Sequence, residues 1–479
     1  MPPLNFNVIL PLTALIVWAC ALLLIDLFIK NKRLTAFLAA LGLALALGLT
    51  LSQIGYSATS FNSAVVVDGF STFLNALLLT SGLLGVAVAY DYLKRTGLER
   101  GEYYTLLLFS IAGMMLMSQA ADLIIVFLAL ELLSIPLYVL AAFGVPKVES
   151  EEAGLKYFLL GAFAAGFIVY GIALVFGATG STALGAIVQA AETGSASPLL
   201  LTVGAALILV GLGFKVAVVP FHMWTPDVYH GAPTAVTAFM ASGAKIAGFA
   251  ALLRVFVLAF PTLAADLTPI LAVISGLTMI VGNVLAISQS NIKRLLAYSS
   301  IAHAGYVLMA FVPYGQAGVV ATSVAAGLFY LVSYAITNFG AWAVVIALEK
   351  EEGKGLEIND YAGLGRRRPA LAAAMAVFML SLTGIPPTLG FVGKFYLFRA
   401  AIEGQFYILA IIGVVTSLIS AYYYLLVVVT MYMREGEPET RSEPWLNLTW
   451  GVSAIVTVLI SIMPGPLFDW ASQAVLRLF

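Results

Sequence analysis

Long apolar runs alternate along the chain with short polar connections, and the runs repeat at about twenty residues, the length a helix needs to cross the hydrocarbon of a bilayer. Fourteen are legible, beginning near Val8, Leu34, Gly69, Tyr103, Leu123, Ala153, Leu199, Ala232, Leu267, Ile292, Ala317, Ala370, Gln405 and Leu446. No stretch between them has the size or polarity of a soluble domain. The pattern predicts an all-α, polytopic membrane protein of about fourteen transmembrane helices.

Three runs are too long for one straight crossing: residues 198–226, 314–348 and 369–402. The first contains Pro220 and the third the pair Pro386 and Pro387, whereas the second has only Gly327 and Gly340 as weak points. A proline frees the carbonyl four residues before it, which here means Val216, Leu382 and Thr383; Pro136 does the same for Leu132 in the fifth run. Such breaks persist in a bilayer only where the backbone is buried in protein or lines a wet cavity. The proline-broken helices, 7 and 12, stand five crossings apart. Two successive blocks of five crossings have opposite orientations, which is the arithmetic of an inverted repeat. The predicted division is residues 1–102 (helices 1–3), 103–261 (first repeat, helices 4–8), 262–433 (second repeat, helices 9–13) and 434–479 (helix 14).

Composition agrees with this and narrows the function. The 479 residues are 62% hydrophobic and 10% charged, with mean hydropathy +1.02, against about 25% charged for soluble domains. A net charge of −1 gives no argument for nucleic acid. Cys20 is the sole cysteine, so thiolate metal and iron–sulfur sites are excluded, and three histidines fit a bis-histidine haem poorly. Most basic residues fall in alternate connections, such as Lys30, Lys32 and Arg33, Lys94 and Arg95, Lys293 and Arg294, and Arg366 to Arg368. The opposite connections, 53–68, 178–198, 261–266 and 312–316, carry none. The basic side is therefore predicted to be cytoplasmic, with both termini outside. The N-terminus lacks the basic stretch of a cleaved signal peptide, so the first run is expected to be retained.

Candidate chemistry lies in the charges that this pattern places at bilayer depth, where each costs about 2.5–3.5 kcal/mol on insertion scales. Glu131 lies nine residues beyond Asp122, about 13 Å deeper along a helix. Lys215, Lys245 and Lys394 sit inside their runs, and each proline break stands near one of these charges. Glu131 and Lys215 read as a counter-charged pair. Lys245 follows the small-residue run Ala241 to Ala244, which lets a neighbouring helix approach closely. His303, among Ser299, Ser300 and Tyr306, fits a proton relay and a satisfied core histidine equally. His222 and His230 fit either proton intake or loop anchoring. Asp122, Asp227 and Asp266 read as interfacial caps, and residues 349–368 as a solvated loop that touches a partner. No nucleotide-binding motif is present, so energy must come from an ion gradient or a partner.

Five segments in order, LELLSIPLYVLAAF (130–143), EAGLKYFLLGAF (152–163), GFKVAVVPFHMWTPDVYHGAPTAV (213–236), SNIKRLLAYSSIAHAGY (290–306) and GIPPTLGFVGKFYLF (384–398), closely resemble subunit N of proton-pumping NADH:quinone oxidoreductase, respiratory complex I. The resemblance spans nearly the whole chain. It implies an antiporter-like subunit in a bacterial plasma membrane, in which Glu131, Lys215, Lys245 and Lys394 form a polar axis that moves protons outward, with His303 and His222 as candidate members. It also implies partners: other membrane subunits of the complex, with NADH, FMN, iron–sulfur clusters and quinone held there and no cofactor in this chain. The related subunit M looks similar but has glutamate where this chain has Lys394. Subunit L shares the lysine but adds a long lateral helix. Two rivals remain: a subunit of a multi-subunit Na⁺/H⁺ antiporter, and a quinone- or haem-binding redox subunit.

The topology is directly testable. On a Cys20→Ala background, cysteine at Asn31 is expected to react with an impermeant thiol reagent only from the cytoplasm, and cysteine at Ser60 only from outside. Reaction of both from one side would overturn the assignment.

Overall fold

The computed structural model describes residues 5–350 and 354–474. It opens with α1 (Phe6–Asp26) and α2 (Lys32–Leu51), followed by a hairpin of β1 (Ala58–Ser60) and β2 (Val65–Val67). Next come α3 (Gly69–Arg95), α4 (Gly101–Gln119), α5 (Leu123–Ala141), α6 (Val148–Thr179), the short α7 (Leu184–Glu192) and α8 (Pro198–Val216). The short α9 (Trp224–Gly231) leads into α10 (Thr234–Phe239), which passes through a π-helical turn, Met240–Ala244, into α11 (Lys245–Ala259). Then follow α12 (Ala264–Ile287), α13 (Ile292–Met309), α14 (Val320–Leu348) and α15 (Leu364–Arg367). The broken pair α16 (Pro369–Thr383) and α17 (Leu389–Glu403) precedes α18 (Tyr407–Met433), α19 (Pro444–Ile462) and α20 (Gly465–Gln473).

Among the described residues, eleven helical segments are long and apolar enough to cross a membrane. The other three runs read from the sequence coincide with α4, α13 and the α16–α17 pair. The chain is a helical, multi-pass membrane protein. The all-α expectation needs one amendment, the antiparallel hairpin that pairs Ala58 with Val67 and seats Val65 and Val67 on Val8.

Both proline-broken runs are broken, and in the same manner: α8 ends on Ala217 and α16 on Gly384, each in the left-handed conformation (φ 62° and 90°). The second long run, 314–348, is not broken. From Val320 to Leu348, α14 is one continuous helix of 29 residues. Glycine costs a helix only about 1 kcal/mol and leaves its donor in place, so Gly327 and Gly340 do not interrupt it; Gly340 instead makes room for the Phe378 ring. Length alone was a poor sign of a break, since α6 runs to 32 residues.

Close helix contacts are made by small residues, as expected where lipid supplies no hydrophobic drive between helices. A Cβ on Gly113 of α4 would meet the Leu133 nitrogen of α5 at 2.4 Å, and one on Gly282 of α12 the Ala302 nitrogen of α13 at 2.5 Å. Beside each, a serine bonds the partner helix: Ser110 Oγ to the Leu133 carbonyl at 3.0 Å and Ser275 Oγ to the Gly305 carbonyl at 2.8 Å. Two helices enclosed on nearly every side are α10–α11, which carries Lys245, and α14, which carries Tyr330, Tyr334 and Asn338.

Three expectations are corrected here. Lys293, assigned to a basic connection, is buried at the start of α13 and donates to the Ala232 carbonyl at 2.8 Å. Asp227 is no helix cap. It accepts from Lys156 at 2.8 Å and Arg294 at 3.1 Å. Residues 349–368 are not a solvated loop where they are described: Leu356, Ile358, Tyr361 and Leu364 are buried, and Ile292 N–H bonds the Leu356 carbonyl at 2.8 Å. Residues 351–353 lie outside the described residues.

A buried ion pair fastens α11 to the start of α3. The Arg254 guanidinium, 1% exposed, donates to both Asp68 oxygens at 3.0 and 2.9 Å and lies over the Phe70 ring at 4.9 Å. Asp68 also caps α3 through the Ser71 N–H at 2.7 Å. Removing one partner of such a pair leaves an uncompensated charge, so Asp68→Asn should cost about 3–5 kcal/mol, read as a lower thermal midpoint of the chain in detergent. Adding Arg254→Met should recover part of that loss; a single Asn variant as stable as the parent would refute the assignment.

Candidate functional site

Lys215 lies in the last turn of α8, with its ammonium turned inward. It donates to Ser134 Oγ of α5 at 2.8 Å and Tyr157 Oη of α6 at 3.1 Å. Tyr157 stacks flat on Trp224 of α9 at 4.6 Å, and the Trp224 indole N–H caps the Phe214 carbonyl of α8 at 3.0 Å. The carbonyl freed by Pro220 is therefore not what holds this lysine; two hydroxyls do. Glu131 stands one turn before Ser134 on α5, half-buried. Residues at that spacing share a helix face. Glu131 and Lys215 form no direct ion pair among the described residues in this arrangement.

Lys394 of α17 stands beside the break made by its two prolines. Its ammonium binds the Leu382 and Thr383 carbonyls at 3.0 and 2.9 Å, the two that Pro386 and Pro387 leave without helical donors, and Ser417 Oγ of α18 at 2.5 Å. It also sits over the Tyr306 ring of α13 at 4.5 Å.

Lys245 begins α11 immediately after the π-turn and donates to the Ser300 carbonyl of α13. Ser300 Oγ accepts from Tyr334 of α14 at 2.8 Å. One turn along α13, His303 has both ring nitrogens engaged: Nδ1 with Tyr330 Oη at 2.6 Å and Nε2 with Tyr424 Oη at 3.1 Å. Tyr424 continues to Ser299 Oγ at 2.5 Å. An imidazole bonded at both nitrogens can take a proton on one side and release one on the other.

The structure thus brings Lys215, Lys245, His303 and Lys394 into one connected region. Gly248, one turn beyond Lys245 on α11, packs against Lys215, whose Cγ would lie 3.5 Å from a Cβ there, and the His303 ring lies 5.8 Å from that of Tyr306, under Lys394. All three lysines are 3% exposed. His222 stays outside, half-buried between α8 and α9. His230 belongs to a surface cluster with Asp227, Lys156 and Arg294. Burial and the nearby Lys293 and Arg294 push the His230 imidazole below its usual range. Burial would raise the Asp227 carboxyl, but the hydrogen bonds from Lys156 and Arg294 outweigh it and hold it low.

The resemblance carried by the five sequence segments implied a polar axis of Glu131, Lys215, Lys245 and Lys394; the structure shows the three lysines buried, two at broken helices and one after a π-turn. Residues 120–420 match the family described as NADH:quinone oxidoreductase/Mrp antiporter, TM. The chain is 46% identical to NADH-quinone oxidoreductase subunit N of Chloroflexus aggregans, covering 100% of this chain and 99% of that one. It is 47% identical to subunit N of Trichlorobacter lovleyi, covering 98% and 97%. The chain belongs to the NADH-quinone oxidoreductase subunit N family. A chain of respiratory complex I from Thermus thermophilus, solved with bound aureothin, is similar with TM-score 0.83 and 38% identity over 96% of this chain and 98% of that one. A chain of the Mrp complex from Dietzia sp. DQ12-45-1b superposes with TM-score 0.87 at 21% identity, over 98% and 97% of the two chains, a likeness of fold alone.

In this subunit N fold the lysines were legible, but most of the groups that touch them were not. Ser134, Tyr157, Ser300, Tyr330, Tyr334 and Tyr424, around the lysines and His303, come from five different helices. Their one sequence signal is hydroxyl side chains recurring inside apolar runs. The Lys394 shell makes a stability prediction. Gly384 has φ 90°, and a Cβ there would lie 2.8 Å from Lys394 Cδ. Gly384→Ala should lower the thermal midpoint by an amount corresponding to about 1 kcal/mol or more. Gly177→Ala, on an open helix face, should raise it slightly. Equal shifts would refute the packing described.

Proposed function

We propose that this chain conducts protons across the membrane from the side of its basic connections outward, driven by electron transfer to quinone in neighbouring subunits of an NADH:quinone oxidoreductase in a bacterial plasma membrane. NADH, FMN, iron–sulfur clusters and quinone belong to those partners in this reading. The observation that carries it is the succession of buried titratable groups, Lys215, Lys245, His303 and Lys394, joined through hydroxyls and aromatic rings. Isolated ionisable groups at this depth are retained for function far more often than for packing.

Glu131 and Lys215 supply the energy store. Along α5 the Lys215 ammonium has two docking points one turn apart, the Ser134 hydroxyl that it occupies here and the Glu131 carboxylate. Drawn to Glu131 at about 4 Å and an effective dielectric near 20, the pair gains about 4 kcal/mol. Moving one charge against about 180 mV costs about 4 kcal/mol. Docking on Glu131 holds Lys215 protonated. Return to Ser134 and Tyr157 leaves the ammonium in a neutral shell that favours release of its proton toward Lys245. From there His303 and Lys394 carry it on toward the outlet.

Two tests follow, both read as donor-driven proton uptake into vesicles holding the reconstituted complex, per assembled complex. Glu131→Gln should slow uptake about tenfold or more, the scale of losing a proton-transfer group, while Glu131→Asp retains part. At Lys394 the need is a titratable group rather than a positive charge, so Lys394→Glu should pump better than Lys394→Met. Lys394→Arg should resemble Met, because guanidinium does not deprotonate in proteins. Parental pumping by Arg with none by Glu would make Lys394 a fixed electrostatic element.

A further inference from the structure

A second buried carboxylate lies outside this series. Glu349 follows the last residue of α14, at the end that faces the basic connections, and is 6% exposed. Its Oε1 accepts from Tyr92 Oη of α3 at 3.4 Å, and Tyr92 Oη in turn accepts the Thr234 N–H of α10 at 3.1 Å. Its Oε2 has no hydrogen-bond partner among the described residues, nor have the hydroxyls of Tyr361 and Thr234 nearby. The cations close to it are occupied elsewhere: Lys293 donates to the Ala232 carbonyl at 2.8 Å, and Arg95 binds the Ile346 carbonyl at 2.9 Å and Glu443 at 3.1 Å. A carboxylate kept for structure would close on one of them, because an under-satisfied buried charge is costly.

Two features give this position a direction. Outward, its chain neighbours Leu348 and Lys350 line an open cavity of about 600 Å³. Inward, polar side chains recur along two rails between it and Lys245. One lies on α14, where Trp342 Nε1 donates to Asn338 Oδ1 at 3.1 Å and Tyr334 reaches Ser300. The other lies on α10 and the π-turn, with Thr234, Thr237 and Ser242, and Asn338 Nδ2 ties the two together through Ser242 Oγ at 2.8 Å. From Glu349 to Asn338 is eleven residues, about 16 Å along the helix.

We propose that Glu349 is the proton-loading group on the basic side, taking a proton from water in the cavity and releasing it along these rails to the Lys245 and His303 centre. The step moves a proton only: the carboxyl O–H forms at the cavity and breaks inward, and Tyr92 positions the carboxylate. It deepens the conducting role proposed above and rests on it.

The test uses the intact complex in vesicles, with Glu349→Gln, Glu349→Asp and Lys245→Met in parallel. Glu349→Gln is expected to slow donor-driven proton uptake about tenfold, Glu349→Asp to restore much of it, and Gln to remove a carboxyl C=O band from the infrared difference spectrum of turnover. Parental uptake by Glu349→Gln, with Lys245→Met inactive, overturns this inference and leaves the relay standing; parental uptake by Lys245→Met overturns the relay itself. Equal loss in Gln and Asp variants with no infrared change marks a structural role and also overturns it. If Glu349→Gln does not assemble, Tyr92→Phe decides: several-fold slower uptake supports the proposal, and an unchanged rate rejects it.

Discussion

The constraint on which the rest depends is that an ammonium group buried at bilayer depth must replace its water with fixed acceptors. Desolvating one such ion costs several kcal/mol after relaxation, and an intact helix has no spare carbonyl to offer. The chain meets this in two ways. At Lys394 it breaks the helix, and the two carbonyls freed by the proline pair turn onto the ammonium. At Lys215 it breaks the helix but binds the lysine with hydroxyls from α5 and α6. The two broken helices end in like geometry, yet they hold their cations with different chemistry.

That difference has consequences for conduction. Backbone carbonyls accept hydrogen bonds but cannot take up a proton, so the Lys394 shell stabilises the charged form. Hydroxyls donate as readily as they accept, so the Lys215 shell suits either form. Between them, the Ser300 carbonyl and a ring of tyrosines surround Lys245 and His303. The series thus has a hydroxyl shell at Lys215 and a shell mainly of backbone carbonyls at Lys394.

Around this centre the architecture is conservative. The enclosed α14 and α10–α11 carry the polar groups, and glycine and serine contacts bring the flanking helices to backbone distance. The Asp68–Arg254 pair ties α11 to α3 at the end away from the basic connections, and on the opposite side the segment after Glu349 folds back onto α13. The apolar outward faces of α6 and α18, with Phe163 and Leu418 among the exposed residues, are what lipid and neighbouring subunits require.

Much of this was legible before folding. Hydrophobic period and length placed the crossings, the prolines placed two breaks, and isolated charges in apolar runs marked Glu131, Lys215, Lys245 and Lys394, because each of these signals is a local property of the chain. The carbonyls freed at Leu382 and Thr383 were legible too, since a proline frees carbonyls at a known offset, but not that Lys394 takes them. The sequence could not show the π-turn before Lys245, the continuous α14, the burial of Lys293 and Glu349, or the hydroxyl shells. Tyr157, Ser134 and Trp224 meet around Lys215 from three separate helices, and nothing in the local pattern of any one helix says which of its faces turns toward another. Those faces are set by packing between crossings distant in the chain, and for that reason only the tertiary structure decided how the buried charges are held.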